Sequence, residues 1–211
     1  MFLIFDTETT GFPSKTLAPS HPGQARLMQL AWLLLDDEFE EVACYNSLVR
    51  FPDTTVLSTG AEKAHGISRD DCKKYGFYTQ SVIELFTEAQ SLAKLVVAHN
   101  IAFDSQLIDI ELIDLRKGLP SEIQWHDTSR YFCTMQAMTP ICQLPGGKFG
   151  SQYKWPKLIE AYRYVTGGKD FEGAHDALAD VRATATVFKW LVEKGHVPSL
   201  CQTQIPTTSI V

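Results

Sequence analysis

The chain has 211 residues, 45% hydrophobic and 21% charged, enough to bury one substantial core; fibrous, collagen-like and disordered classes are excluded. Its 19 basic and 25 acidic residues give a net charge of -6, which argues against a surface that coats nucleic acid by charge alone. A local site that gathers divalent cations is compatible with that balance, because bound ions add positive charge that the residue count omits.

In chain order, residues 2–5 form an apolar run suited to a buried strand. Residues 27–35 and 42–51 read as two further strands, separated by the acidic turn Asp36, Asp37 and Glu38. Ser81 is placed to cap a helix that carries Val82, Leu85, Phe86 and Ala89 on one side. Residues 95–98 then read as a buried strand, and residues 102–117 as a helix closed by Gly118 and Pro120. Pro156 suits the start of a helix with Leu158, Ala161, Tyr162 and Val165 at core-facing spacing before Gly167 and Gly168. A last helix, residues 176–194, carries Leu178, Val181, Ala185, Phe188 and Leu191 three and four apart. Three strands followed by alternating helices and strands indicate an α/β fold, with a central mixed sheet of about five strands flanked by helices.

One domain over residues 1–195 is expected, followed by a tail, 196–211, that shows no periodicity. Segments 12–26 and 139–154 are rich in glycine, proline and polar residues and read as surface loops. Lys15, Arg26, Lys148 and Lys154 on them are either phosphate contacts or simply solvated. The five cysteines are scattered without a CxxC spacing and read as reduced thiols. The longest apolar run, residues 30–35, is far short of the ~20 residues that cross a bilayer. Residues 1–5 lack a basic leader. A soluble cytoplasmic protein with no membrane partner is the expectation.

Three segments carry the chemistry. In Phe5-Asp6-Thr7-Glu8-Thr9-Thr10-Gly11 two carboxylates stand two apart on a strand, and therefore on one face. Like charges so placed raise each other's pKa unless cations or donors stabilise them, which makes the pair a candidate metal site. Thr9, Thr10 and Gly11 offer hydroxyls, N–H groups and a tight turn to a ligand. In Ala98-His99-Asn100-Ile101-Ala102-Phe103-Asp104 the aspartate falls in the first turn of a helix, where the helix dipole alone would also favour it; Asn100 suits a cap. In Gly173-Ala174-His175-Asp176-Ala177-Leu178-Ala179-Asp180 a histidine at a helix entry precedes an aspartate by about 140° of helical rotation.

Together, in this order and context, the three motifs resemble those of the DEDDh exonucleases, which include the proofreading subunits of replicative polymerases. The resemblance spans residues 1–194. It implies a ribonuclease H-like fold, two Mg²⁺ or Mn²⁺ ions, and release of nucleoside 5′-monophosphates from a nucleic-acid 3′ end. Asp6, Glu8, Asp104 and Asp180 match the family's four metal-binding carboxylates, and His175 matches its histidine, the general base. His65, in Gly60-Ala61-Glu62-Lys63-Ala64-His65-Gly66-Ile67-Ser68, stands where the family places a histidine beside the terminal nucleotide, or is simply a surface loop histidine; Asn100 and Phe103 flank the second motif and are either sugar or base contacts or structural. Single-stranded DNA is the expected substrate, with RNA trimming or a non-catalytic nucleic-acid-binding protein on the same fold as alternatives. A homodimer, or a polymerase or repair partner, is compatible with the resemblance. Oxygen ligands suit Mg²⁺ or Mn²⁺, and two such ions ~3.5–4 Å apart can stabilise both the attacking and the leaving oxygen of an in-line displacement.

Overall fold

The apolar run that opens the chain extends further than its hydrophobicity suggests. In the computed structural model, which describes residues 1–116, 128–147 and 152–197, strand β1 covers Phe2–Thr9, so both carboxylates of the first motif lie within it. It pairs antiparallel with β2 (Leu27–Leu35), every residue of which is buried. β2 pairs antiparallel with β3 (Glu41–Arg50). Two short helices follow, α1 (Thr59–His65) and α2 (Arg69–Tyr75), each begun by a serine whose side chain accepts from first-turn N–H groups. A two-residue strand β4 (Phe77–Tyr78) leads into α3 (Thr79–Leu92), β5 (Leu95–Ala98) and α4 (Ile101–Leu115). Then come β6 (Tyr131–Cys133), α5 (Thr134–Cys142), α6 (Leu158–Thr166) and α7 (Ala177–Glu193).

Among the described residues the sheet has six strands in the order β4-β3-β2-β1-β5-β6, one more than the expected five or so. The additions β4 and β6 are two and three residues long, too short to carry an alternating pattern, and both residues of β4 are exposed. Only β2 runs against the rest, because β3 returns parallel to β1 while β4, β5 and β6 pair in parallel. Five strands therefore end at one edge of the fold.

Alternation along β1 divides the core. Leu3 and Phe5 pack with Phe86 of α3 and Ile108 of α4, while Phe2 and Ile4 pack with Val181 and Phe188 of α7. A fully buried phenylalanine such as Phe188 contributes about 1.5–3 kcal/mol relative to exposure. A smaller cluster of Met138, Ala161, Val187 and Leu191 fixes α5 and α6 on α7.

Several expectations are corrected. α3 begins at Thr79, with Ser81 inside it rather than capping it, and α6 begins two residues beyond Pro156. The helix Thr134–Cys142 overlaps the segment read as a loop from residue 139; Pro140, taken as a loop signal, sits inside it. Arg26 is buried and paired rather than presented to phosphates, and Lys154 pairs with Glu160 at 2.6 Å. Lys15 is exposed. Lys148, Gly118, Pro120, Cys201 and the tail beyond residue 197 lie outside the described residues. Cys44, Cys72, Cys133 and Cys142 are free. Among the described residues no helix is long and apolar enough to cross a membrane.

Candidate active site

Asp6 and Glu8 continue the row begun by Phe2 and Ile4, so they point toward α7 just where the apolar core stops. Asp180, in the first turn of α7, meets them there: oxygens of Glu8 and Asp180 and an imidazole nitrogen of His175 all lie within 4.8 Å of one another. Asp104 arrives from the other side of β1. Parallel pairing with β5 covers only Phe2 to Ile4, which leaves the N–H of Thr7 to be satisfied by another group. Asp104, 3% exposed, takes that bond with Oδ1 at 3.1 Å and the Thr7 hydroxyl at 2.7 Å.

The fourth element is the entry to α7. His175 has a left-handed backbone, φ 70°, a conformation that costs a residue with a side chain and marks over-determined sites. Its N–H donates to Asp180 Oδ2 at 3.2 Å. Asp176 accepts from the N–H of Leu178 at 3.1 Å. Gln29 of β2 fastens this turn to the sheet: its amide donates to Asp176 at 3.1 Å and its carbonyl oxygen accepts from the N–H of Ala177 at 3.2 Å. Gln29 and Thr7 were missed from the sequence. The available signal for Gln29 was one polar side chain in the otherwise apolar run Leu27–Leu35, opposite Glu8.

The electrostatics of this group are one-sided. Burial raises the Asp6 carboxyl well above the ordinary range, and Asp104, Asp180, Glu8 and Asp176 add to the effect. Glu8 is pushed up to about 8 by burial, then by Asp180, Asp104 and Asp176. Burial raises Asp104 to about 7 against the pull of the Thr7 bonds, and Asp180 to about 6 against that of His175. Asp180 Oδ1 is buried without a hydrogen-bond partner. Oxygen donors held together, repelling one another and left partly unsatisfied fit hard divalent cations.

The remaining predicted residues sort by what they touch. Thr9 closes its own turn, its hydroxyl donating to the Gly11 carbonyl at 2.7 Å. Thr10 is buried, and its hydroxyl accepts from the N–H of Arg26 at 3.0 Å. His65, last residue of α1, accepts from the N–H of Ile67 at Nδ1 (2.9 Å), so its Nε2–H donates to the Thr9 carbonyl (3.2 Å). Burial lowers its pKa, the direction that favours the neutral ring. Asn100 starts α4 with a left-handed backbone and makes no side-chain cap, unlike the expected cap. Phe103 meets Phe12 edge to face at 6.0 Å, and Phe12 is 90% exposed, an aromatic pair absent from the sequence reading. His99 receives the Thr134 hydroxyl at Nδ1 (3.0 Å) and donates from Nε2 to the Pro156 carbonyl (2.9 Å), tying the approach to α6 to the end of β5.

A family model described as exonuclease, RNase T, matches residues 3–188. Among solved structures, exonuclease I superposes with TM-score 0.69 at 20% identity, over 91% of this chain and 40% of that one. Exonuclease I of E. coli in complex with a dT13 oligonucleotide gives 0.68 at 20% identity, covering 90% and 40%. A product-bound exonuclease I gives 0.67 at 18%, covering 91% and 43%. The likeness establishes the ribonuclease H-like fold, and the chain spans about 40% of the length of these relatives. A search of curated proteins found no match.

Proposed function

The chain belongs to the RNase T exonuclease family, and from that premise we propose that it removes nucleotides stepwise from the 3′ end of single-stranded DNA, releasing nucleoside 5′-monophosphates. The observation that carries the reading is the group of Asp6, Glu8, Asp104 and Asp180, in which every charged neighbour acting on Glu8 is another carboxylate. These four residues would hold two Mg²⁺ or Mn²⁺ ions. When bound, the ions supply the charge neutralisation that in-line displacement at phosphorus requires and acidify the attacking water.

The protein's own residues do the rest. His175, exposed at the mouth of the site and held by its backbone bond to Asp180, accepts the water proton at an imidazole nitrogen. The water oxygen bonds to phosphorus as the bond to the 3′ oxygen of the preceding nucleotide breaks, and solvent protonates that oxygen. Thr7 keeps one oxygen of Asp104 in place, and Gln29 sets the angle at which α7 presents Asp180. His65 braces the Thr9 to Gly11 turn against α1, beside the terminal nucleotide. Phe12 and Phe103 offer ring faces to its base, Asn100 lies beside its sugar, and Thr10 supports the turn from beneath.

The test is incubation with 5′-labelled single-stranded DNA and RNA of one sequence, with magnesium, with EDTA, and with Asp6→Ala and His175→Ala variants. A ladder shortening from the 3′ end that needs metal and Asp6 is expected, faster on DNA. His175→Ala should keep metal affinity and lose about 10²–10⁴-fold in turnover. Near-normal activity of that variant at all pH values rejects the base assignment, and binding without cleavage by the intact protein rejects the enzyme reading.

A further inference from the structure

Three cation-aromatic pairs crowd the β4 edge of the sheet. The Arg50 guanidinium lies 5.3 Å from the Tyr78 ring, Arg69 lies 4.7 Å from the ring of Phe51, and the Lys74 ammonium lies 4.8 Å from the ring of Tyr75. Tyr75, Phe77 and Tyr78 are 60%, 62% and 69% exposed, an unusual density of open rings for four consecutive positions. Gly76 makes this possible: a Cβ there would stand 2.4 Å from the Cys72 carbonyl oxygen and 2.9 Å from the Arg50 nitrogen, so only glycine lets the end of α2 press against β3. Two hollows of about 330 and 380 Å³ share Arg50 and Pro52 as a common wall.

The position relative to the carboxylates follows from register. Glu8 stands opposite Gln29, Gln29 opposite Leu48, and Arg50, two residues beyond Leu48, opposite Tyr78. β4 is therefore three strand spacings from β1, about 14 Å, at the end of the sheet where Glu8 lies. The acids nearby are largely occupied: Asp53 pairs with Lys73 at 3.6 Å, and Glu111 and Asp114 pair with Arg26. A two-residue edge strand is too short to template another chain's strand, which disfavours a protein partner here.

We propose that this surface carries the single strand upstream of the 3′ end, its bases stacking on Tyr75 and Tyr78 and its phosphates meeting Arg50 and Lys74. Open rings interleaved with cations are the combination that tracks a single strand without reading its sequence. The proposal rests on the exonuclease reading and says where its substrate lies.

The test compares wild type with Tyr78→Ala, Arg50→Glu and Lys74→Glu on a dinucleotide and on an oligodeoxynucleotide of about 12 nucleotides, the span of one single-strand site. Anisotropy of the labelled longer strand is measured in EDTA across a salt series. The variants should hydrolyse the dinucleotide as wild type does and lose roughly ten- to hundred-fold in kcat/KM and affinity for the longer strand. Each charge reversal should make the salt dependence shallower by about one phosphate contact. Wild-type affinity and salt slope in all three variants overturn the proposal. Wild-type protein that binds the longer strand through these residues yet cleaves neither substrate sinks the exonuclease reading while the surface stands.

Discussion

Two groups of acids, one built around the buried Glu111 and the other around the buried Asp104, are handled in opposite ways in this protein. On the α4 side, Glu111 accepts from the N–H of Leu27 at 2.9 Å and faces Arg26 at 3.5 Å, while Asp114 bonds the same guanidinium, which also donates to the Pro19 carbonyl at 3.0 Å. Burial raises Glu111, and Arg26 and the Leu27 N–H oppose that rise. On the α7 side, the neighbours of Glu8 act in the same direction as burial, and it reaches about 8. The first group has its cation, Arg26, within the chain; in the second, every charged neighbour acting on Glu8 is another carboxylate. Burial alone therefore does not mark a functional site, whereas burial with uncompensated charge does.

The largest way to break the contrast is at Asp6. Asp6→Asn should lower exonuclease turnover on the order of 10³-fold or more, since metal-ion charge stabilisation is worth several kcal/mol at about 1.4 kcal/mol per tenfold. In EDTA the same variant should melt no lower than wild type, because burial and four neighbouring carboxylates already disfavour a charge at that position. A lower melting temperature in EDTA would show that Asp6 is structural.

Arg26→Met is the mirror case. It leaves the buried Glu111 and the half-buried Asp114 without their cation and should cost about 3–5 kcal/mol in denaturant unfolding, with metal-dependent activity retained by the folded fraction. A loss below 1 kcal/mol would place the group among pairs that contribute nothing net.

The two groups also separate by pH. Glu8, Asp104 and Asp180 hold protons in the folded state up to about 8, 7 and 6, above their unfolded values. The folded protein thus binds more protons than the unfolded one from roughly pH 4 to 8, and metal-free stability from these groups falls as pH rises through that window. Melting in EDTA should decline from pH 5 to 8, and the increase on adding Mn²⁺ should be greater at pH 8, where the ligands ionise. A manganese effect independent of pH would rule out these carboxylates as the ligands.

The smallest effect is expected at Thr7. Thr7→Val removes one of two bonds to Asp104 Oδ1 and should cost about 1 kcal/mol, about 2–4 °C in melting temperature, and raise the pH at which activity appears. An unchanged pH profile would reduce Thr7 to a packing role.

The sequence by itself determined the parts that depend on local repetition. Period-two alternation placed Asp6 and Glu8 on one face, and β2 was read as Leu27–Leu35, the range it occupies. Helical spacing located α7 to within a residue at each end. Short-range signals failed where tertiary context overrides them: Pro140 inside α5, Asn100 as an uncapped helix start, and β4 and β6, which exist only because neighbouring strands pair with them. Thr7 and Asp104 are 97 positions apart and Gln29 and Ala177 are 148 apart, so no local pattern encodes their bonds. Only the folded sheet brings those groups into reach, turns Arg26 inward to neutralise one cluster, and leaves the carboxylates of the other facing one another. That decision depends on which charges burial forces together, and distance in the fold, not order in the chain, sets it.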